Sequence, residues 1–400
     1  MNTASAPNCL VILLIVCLFI ACSDNRNGHI VSGSTENIKI NIDKVSQNDT
    51  VYFSDLFNDY HIIPLETRKE CLIGQINSIR FCDSKIIILD GRISKSVFIF
   101  DLNGNFIRKI GKVGKGPGEY ISPSSISADE EKKEIAIYDG RLNRIQLFSL
   151  EGKFLKSIKI RQKLACKSIE VFNGRIYLSN YVHNSIKYLL FSIDLNGKVI
   201  GEWLPNDYKF HDNSSTSRST IFFRTPQCLR FRNHLMNTIF DIRNSFARPF
   251  ISLESKDHMP LKELEELYER EGKKNRSNFL NEKFIGISSY SEGNNLSIVE
   301  YSKNAKSYTL FYDQETGKVK NVKFLNFKDD MTHFSGRQAG YFFTSYKDNL
   351  VALVAPFFMK NFLENVKYGK ISSNNHNLGN LTVNSNPVII IYQWREKPIL

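Results

Sequence analysis

The sequence predicts an all-β chain: a six-bladed β-propeller of four-stranded antiparallel blades, with one amphipathic helix inserted near 260–272. Three observations predict it. One segment is written twice, at 85–110 and 134–158, about 49 residues apart, a spacing that belongs to repeat architectures. Each copy reads apolar run, Asp-Gly-Arg, apolar run, Asn-Gly or Glu-Gly, then Phe, and looser copies return at 175–197 and 296–317. Finally, the apolar segment NPVIIIY at 386–392 has a counterpart in IIPLE at 62–66, as a ring sealed by strands from its two ends requires.

The elements follow in order. Residues 9–21 are an uncharged apolar run, long enough for a signal-peptide core and too short to span a bilayer. The run ends in Phe19-Ile20-Ala21-Cys22 before polar Ser23-Asp24. This resembles the lipobox of bacterial lipoproteins, which implies that 1–22 is a signal peptide ending at an acylated Cys22. Phe19 departs from the usual Leu, and the leader has no Lys or Arg. Residues 23–50, rich in Asn, Ser, Asp and Gly, read as a flexible tether, and 51–400 as the propeller.

In blade one, 86–89 is a strand stopped by Asp90-Gly91, 97–102 a second stopped by Asn103-Gly104, and 106–110 a more polar outer strand. Gly reaches positive φ freely and Asp bonds its own turn. Blade two repeats this with an inner strand at 124–128, then 135–138, Asp139-Gly140, 144–150, Glu151-Gly152 and 154–158. Between them lies GKGPGEY, 114–120. A strand follows it where a phosphate-cradling loop needs a helix N-terminus, so its glycines read as permitting close approach of blades. Blade three spans 164–204 and blade four 220–253. Then Leu261, Leu264, Leu267 and Tyr268 fall on one helical face, with Pro260 at the start, Gly272 at the end and Glu266–Arg270 as an i,i+4 pair. This helix is expected to pack on the rim; docking a partner is the alternative. Blade five covers 284–325. Blade six starts near Gly340, has a strand at 350–355 and an extended polar loop at 372–386, and closes with 387–394 against 60–65. Seven blades would need a degenerate one hidden in 205–290, and a β-sandwich would need the matching hairpins to be coincidence.

The net charge of +12 comes from scattered Lys and Arg, with the densest cluster at 273–276. That describes a solvated basic surface and no nucleic-acid partner. Of seven cysteines, Cys71, Cys82, Cys166 and Cys228 lie beyond the leader and Cys22. They read as free thiols, with Cys71–Cys82 the pair to test for a disulfide. The eight histidines are spread singly, and zinc spacings, a G-x-S-x-G elbow and an Asp-rich calcium loop are missing from the sequence. Asp329-Asp330 reads as a solvated turn. No cofactor is expected; the alternative is a divalent cation in the channel, with Glu119, Asp129, Glu170 and Glu300 as candidate ligands.

IIPLE (62–66), LIGQI (72–76), GKGPGEY (114–120), NTIFDI (237–242) with Met259-Pro260, and NPVIIIY (386–392) together resemble a family of six-bladed β-propeller lipoproteins of Gram-negative gut-type bacteria. The second copy, with Asp139, Asn143-Arg144 and IQLF, is similar to the NHL-type repeat. The resemblance implies a lipid-anchored propeller of the outer membrane, facing the periplasm or the cell surface, and carries over no catalytic residues. The function expected is therefore a monomeric binding or scaffold module more than an enzyme. It would meet the membrane through its lipid and take a glycan, a peptide or an envelope protein. Its candidate contacts are Arg92, Lys115, Glu119, Tyr120 and Arg141, which stand on connections and turns. The alternative is a metal-dependent hydrolase or lyase working in the channel.

Overall fold

Six four-stranded antiparallel sheets form the ring in the computed structural model, which describes residues 37–400 except 48, 163, 211–220, 226–227, 244–245, 272–281, 334–341 and 372–375. Cys22 with 1–36, the basic cluster at 273–276, Gly272, Gly340 and parts of the 205–219 and 372–386 loops lie outside the described residues. With strands lettered a to d from the axis outwards, blade 1 is Ser78–Cys82, Lys85–Asp90, Ser96–Asp101 and Phe106–Ile110. Blade 2 is Pro123–Asp129, Glu134–Asp139, Arg144–Ser149 and Phe154–Lys159. Blade 3 is Cys166–Phe172, Arg175–Asn180, Tyr188–Ile193 and Val199–Pro205. Blade 4 is Phe222–Arg224, Leu229–Arg232, Thr238–Arg243 and Phe246–Glu254. Blade 5 is Ile287–Gly293, Leu296–Lys303, Lys306–Asp313 and Val319–Lys323. Blade 6 joins Phe342–Tyr346, Asn349–Val354 and Val388–Trp394 to an outer strand from the other end of the chain, Phe57–Pro64.

The continuous apolar runs follow from burial on both faces. Along strand b of blade 1, Ile86 and Ile88 pack with Ile389, Ile391 and Val351 of blade 6, while Ile87 and Leu89 pack with Ile126, Ile135 and Ile137 of blade 2. Successive side chains point to opposite faces, so alternate residues of one strand serve the two neighbouring blades. Each such Ile, fully buried, contributes about 1.5–3 kcal/mol.

The Asp of each Asp-Gly-Arg is more than a turn residue. Asp139 accepts from the amides of Arg141 and Leu142 in its own b/c turn and of Ile121 and Ser122 in the incoming connection. Asp90 does the same for Ile93 and Ser94, and for Gly74 and Gln75. Both carboxylates are buried and tie the entry of a blade to its middle hairpin. At the rim, the outer strands of blades 6 and 2 abut the c/d turns of blades 1 and 3. The backbone oxygen of Pro64 would lie 2.0 Å from a Cβ on Gly104 (φ +84°), and that of Lys159 2.9 Å from one on Gly197 (φ +81°). The contact at the seam is thus the contact made between blades 2 and 3.

The seal pairs Val388–Gln393 with Asp59–Pro64, as the sequence predicts. Its fastening lay beyond the sequence reading. Asp329 and Asp330 are half-buried and engaged where a solvated turn was expected: Tyr392 donates its hydroxyl to Asp329 at 2.8 Å, and the Ser54 amide donates to Asp330 at 3.0 Å. The Asn386 side chain accepts from the Ile73 amide and donates to the carbonyls of Glu66 and Cys71.

Three further elements differ from expectation. Ile38–Asn41, placed in the tether by its polar surroundings, is a fifth strand of blade 4, parallel to Ile251–Glu254. Its alternating Ile38, Ile40 and Ile42 carried the signal, and Ile40 and Ile42 are buried. A helix at Met359–Lys367 occupies the b/c connection of blade 6, burying Met359 and Phe362, and His376–Asn380 in the expected extended loop is a 3-10 turn. The inserted helix Leu261–Glu271 packs Leu261, Leu264 and Leu267 against Val182, Leu189 and Leu235, and Arg270 pairs with Glu271 in place of Glu266.

Candidate functional site

The inner strands decide what the channel can do. Their side chains meet near the axis, so polar residues there must satisfy one another. Ser127 of blade 2 donates to Glu170 Oε1 of blade 3 at 3.1 Å and accepts from the Val171 amide. Arg80 of blade 1 donates from Nε and Nη2 to Glu170 Oε2 at 3.1 and 2.8 Å. The pair is nearly sealed from solvent, with 12% of the Arg80 and 2% of the Glu170 side chain exposed. Its charges therefore cancel within the channel.

Beside this pair opens a cavity of about 350 Å³, at the mouth ringed by the a/b turns. Five blades line it: Arg80, Phe81 and Asp83 from blade 1, Ala128 and Glu130 from blade 2, Glu170 from blade 3, Arg224 from blade 4, and Ser345 to Asp348 from blade 6. The turns that carry the rim residues are two-residue hairpins with both φ positive, 48° and 57° at Asp83-Ser84 and 47° and 65° at Lys347-Asp348. Such turns match strand twist and hold their side chains on a fixed frame. Phe81 and Tyr346 stack at the mouth with centroids 4.7 Å apart and planes 29° apart. Arg224 donates from Nη1 to the carbonyls of Ala128 (2.9 Å) and Val171 (3.3 Å), and Ser345 donates to the Arg224 carbonyl at 2.6 Å. Burial, with the carboxylate of Glu292 adding to it, pushes Asp348 above the ordinary aspartate range. A second cavity, of about 360 Å³, draws on Asn180, Ile186, Tyr188 and Glu202 of blade 3 and its entry.

The residues proposed from sequence stand elsewhere. Arg92 and Arg141 are exposed on b/c turns, and Lys115 is exposed on the connection from blade 1 to blade 2; strand direction puts these at the opposite mouth. Tyr120 is a wedge: it is buried, donates to the Ile110 carbonyl at 2.6 Å, and has its phenol pushed up to about 12 by burial. Glu119 braces its own loop. The Gly116 amide donates to it at 2.8 Å and Lys112 lies 3.3 Å away, which together hold its carboxyl below the usual range.

The four acids named as candidate cation ligands are also dispersed. Asp129 accepts from the amides of its own a/b turn, and Glu300 lies within blade 5, its charge acting on buried Arg232. Among the described residues no three His, Cys, Asp or Glu side chains are grouped as a metal centre. All four described cysteines are free thiols, Cys71 donating to the Glu66 carbonyl and Cys82 to that of Asp129. Sequence reasoning missed Arg80, Arg224 and Tyr346. The one signal for them is position: each lies in the inner strand of a blade, just before its a/b turn.

Residues 36–393 match the family described as a domain of unknown function, DUF4934, and the chain belongs to that family. It is similar to the crystal structure of a protein of Bacteroides fragilis NCTC 9343 described as exported, at 20% identity and a TM-score of 0.67, over 90% of this chain and 99% of that one. It is also similar to a member of the DUF4221 family from Bacteroides vulgatus (12% identity, TM-score 0.49, 88% and 99% covered). A third likeness is to virginiamycin B lyase from Staphylococcus aureus (13%, 0.40, 74% and 81%). No curated protein matches. The likeness to the Bacteroides fragilis protein agrees with the fold described above, a six-bladed propeller.

Proposed function

We propose that this member of the DUF4934 family is an exported, lipid-anchored binding module of the cell envelope, whose ligand sits in the a/b mouth of the channel. One observation carries the reading: five blades converge on a single cavity that sets charged groups and an aromatic pair on rigid turns. A binding site needs a concave, mostly pre-formed pocket with a few fixed polar groups, and that is what the inner strands supply. The volume suits the end of a glycan or of a peptide. Export is supported by the likeness to the Bacteroides fragilis protein and by the leader, and anchoring by the lipobox-like run before Cys22.

Glycan and peptide arrays probed with the mature chain test the site. Binding weakened by Tyr346→Ala and untouched by Lys115→Ala is expected; the reverse would move the site to the opposite mouth. Acyl labelling tests the anchor, with loss of label expected in Cys22→Ala. A labelled Cys22→Ala chain would refute attachment there.

A further inference from the structure

We infer that the channel-mouth cavity takes a carboxylated sugar ring, a uronic acid unit of an anionic glycan, with its carboxylate on Arg224 and its ring against Tyr346. This rests on the binding reading above and deepens it.

The argument starts from which charges at the mouth are already matched. Arg80 is neutralised by Glu170, and Asp83 by Lys85 and Lys133. Arg224 is different. Its Nη1 is held by two carbonyls, yet among the described residues no carboxylate lies within salt-bridge distance, and no hydrogen bond from its Nε or Nη2 is seen. The carbonyls fix the guanidinium, which stands over the Phe172 ring at 5.7 Å. A fixed Arg with an open edge is the geometry that receives a carboxylate through two parallel hydrogen bonds. Lys347 adds a second cation without an acidic partner among the described residues, 5.4 Å from the Tyr346 ring centroid. Arg224 and Lys347 thus mark the side of the cavity formed by blades 4 and 6 for an anion, with Glu130 and Asp348 as the acidic groups of the lining that no ion pair among the described residues engages.

The remaining lining says what carries that anion. The hydrogen bond from Ser345 to the Arg224 carbonyl sets Arg224 beside the strand that presents Tyr346. Tyr346 and Phe81, half-buried and stacked, offer a flat apolar surface to the C–H face of a sugar ring. The lining also holds Glu130, Asp83 and Ser84, with Thr225 and Thr344, hydroxyls and carboxylates suited to sugar hydroxyls. A plain anion would leave the aromatic surface unused, and a neutral sugar would leave Arg224 unmatched.

The test is isothermal titration calorimetry on the full mature chain with three probes: trigalacturonate, maltotriose and triglutamate. Trigalacturonate is expected to bind at least about tenfold more tightly than the other two, and to weaken as salt is raised. Arg224→Gln is expected to remove that preference. Because Arg224 also braces Ala128 and Val171, Tyr346→Ala and Lys347→Ala provide the same reading if the first variant fails to fold, with weakening of about tenfold and about threefold. Equal binding of trigalacturonate and maltotriose would overturn the carboxylate assignment and leave the binding reading standing. Preferred binding of triglutamate would overturn it in favour of an acidic peptide. Failure of all three probes would overturn the inference, and the arrays would then decide separately whether the mouth binds at all.

Discussion

Blade 2 and blade 6 solve the same problem with different material. Blade 2 is one unbroken stretch of chain, Pro123 to Lys159, and its order is set locally by Asp139 and the turns. Blade 6 draws its outer strand from residues more than 320 positions from Val388, and a helix separates its second and third strands. Both bury their two middle strands almost throughout, so hydrophobic burial there does not distinguish them. What differs is the agent of register: backbone turns in blade 2, side-chain latches from distant segments in blade 6. The comparison teaches that a repeat can be closed wherever distant side chains replace the missing turn.

The largest effects come from the cores. Ile137→Ala and Ile390→Ala, both at fully buried positions, are each expected to cost about 2–5 kcal/mol. Stopped-flow kinetics should then separate them. Local contacts form early and contacts of high sequence separation late, so Ile137→Ala should slow folding while Ile390→Ala mainly speeds unfolding. Equal partition between the two rates would break the comparison.

Next is the clamp of blade 2. Asp139→Ala leaves four amides without their acceptor and should cost about 3 kcal/mol by urea unfolding. Asp90→Ala, which carries the same burden in blade 1, should match it within the error of the method. Asn386→Ala removes the latch of blade 6 and should cost about 2 kcal/mol, with Asn386→Asp nearly as damaging because it loses the donors to Glu66 and Cys71.

The smallest effect is read by thiol labelling under native conditions. Burial raises Cys71 above the usual thiol range and pushes Cys82 up to about 12, so neither should react until its surroundings open. Cys71 sits in the cluster shared by blades 6 and 1, Cys82 in that shared by blades 1 and 2. If the seam opens first, Cys71 labels faster; simultaneous labelling would mean the ring opens as one unit.

These regions also mark what could be read from the sequence. The strands of blades 1 and 2 are legible because short apolar runs, Asp-Gly turns and a trailing Phe coincide twice. The seal was legible because IIPLE and NPVIIIY are apolar runs at opposite ends. Ile38–Asn41 was not, since a four-residue strand carries almost no period, and Met359–Lys367 was hidden by the polar stretch after it. The cavity was illegible for a different reason. Arg80, Arg224 and Tyr346 come from three blades and share no spacing; only ring closure brings them to one place. Glu119 and Tyr120 are conspicuous because they stand on a connection between blades, and they spend their polar groups on holding that loop.

The short strand Ile38–Asn41 has a mechanical consequence. Any tension along the chain upstream of Asn37 reaches the ring at blade 4, where Ile38 to Asn41 lie alongside Ile251 to Glu254. A pull along that strand loads its ladder in shear, with all the pairings resisting together. The outer strand of blade 6, which follows later in the chain, is shielded from the load. Under such a pull the load would fall on a rivet at the flank, and the clasp would stay slack.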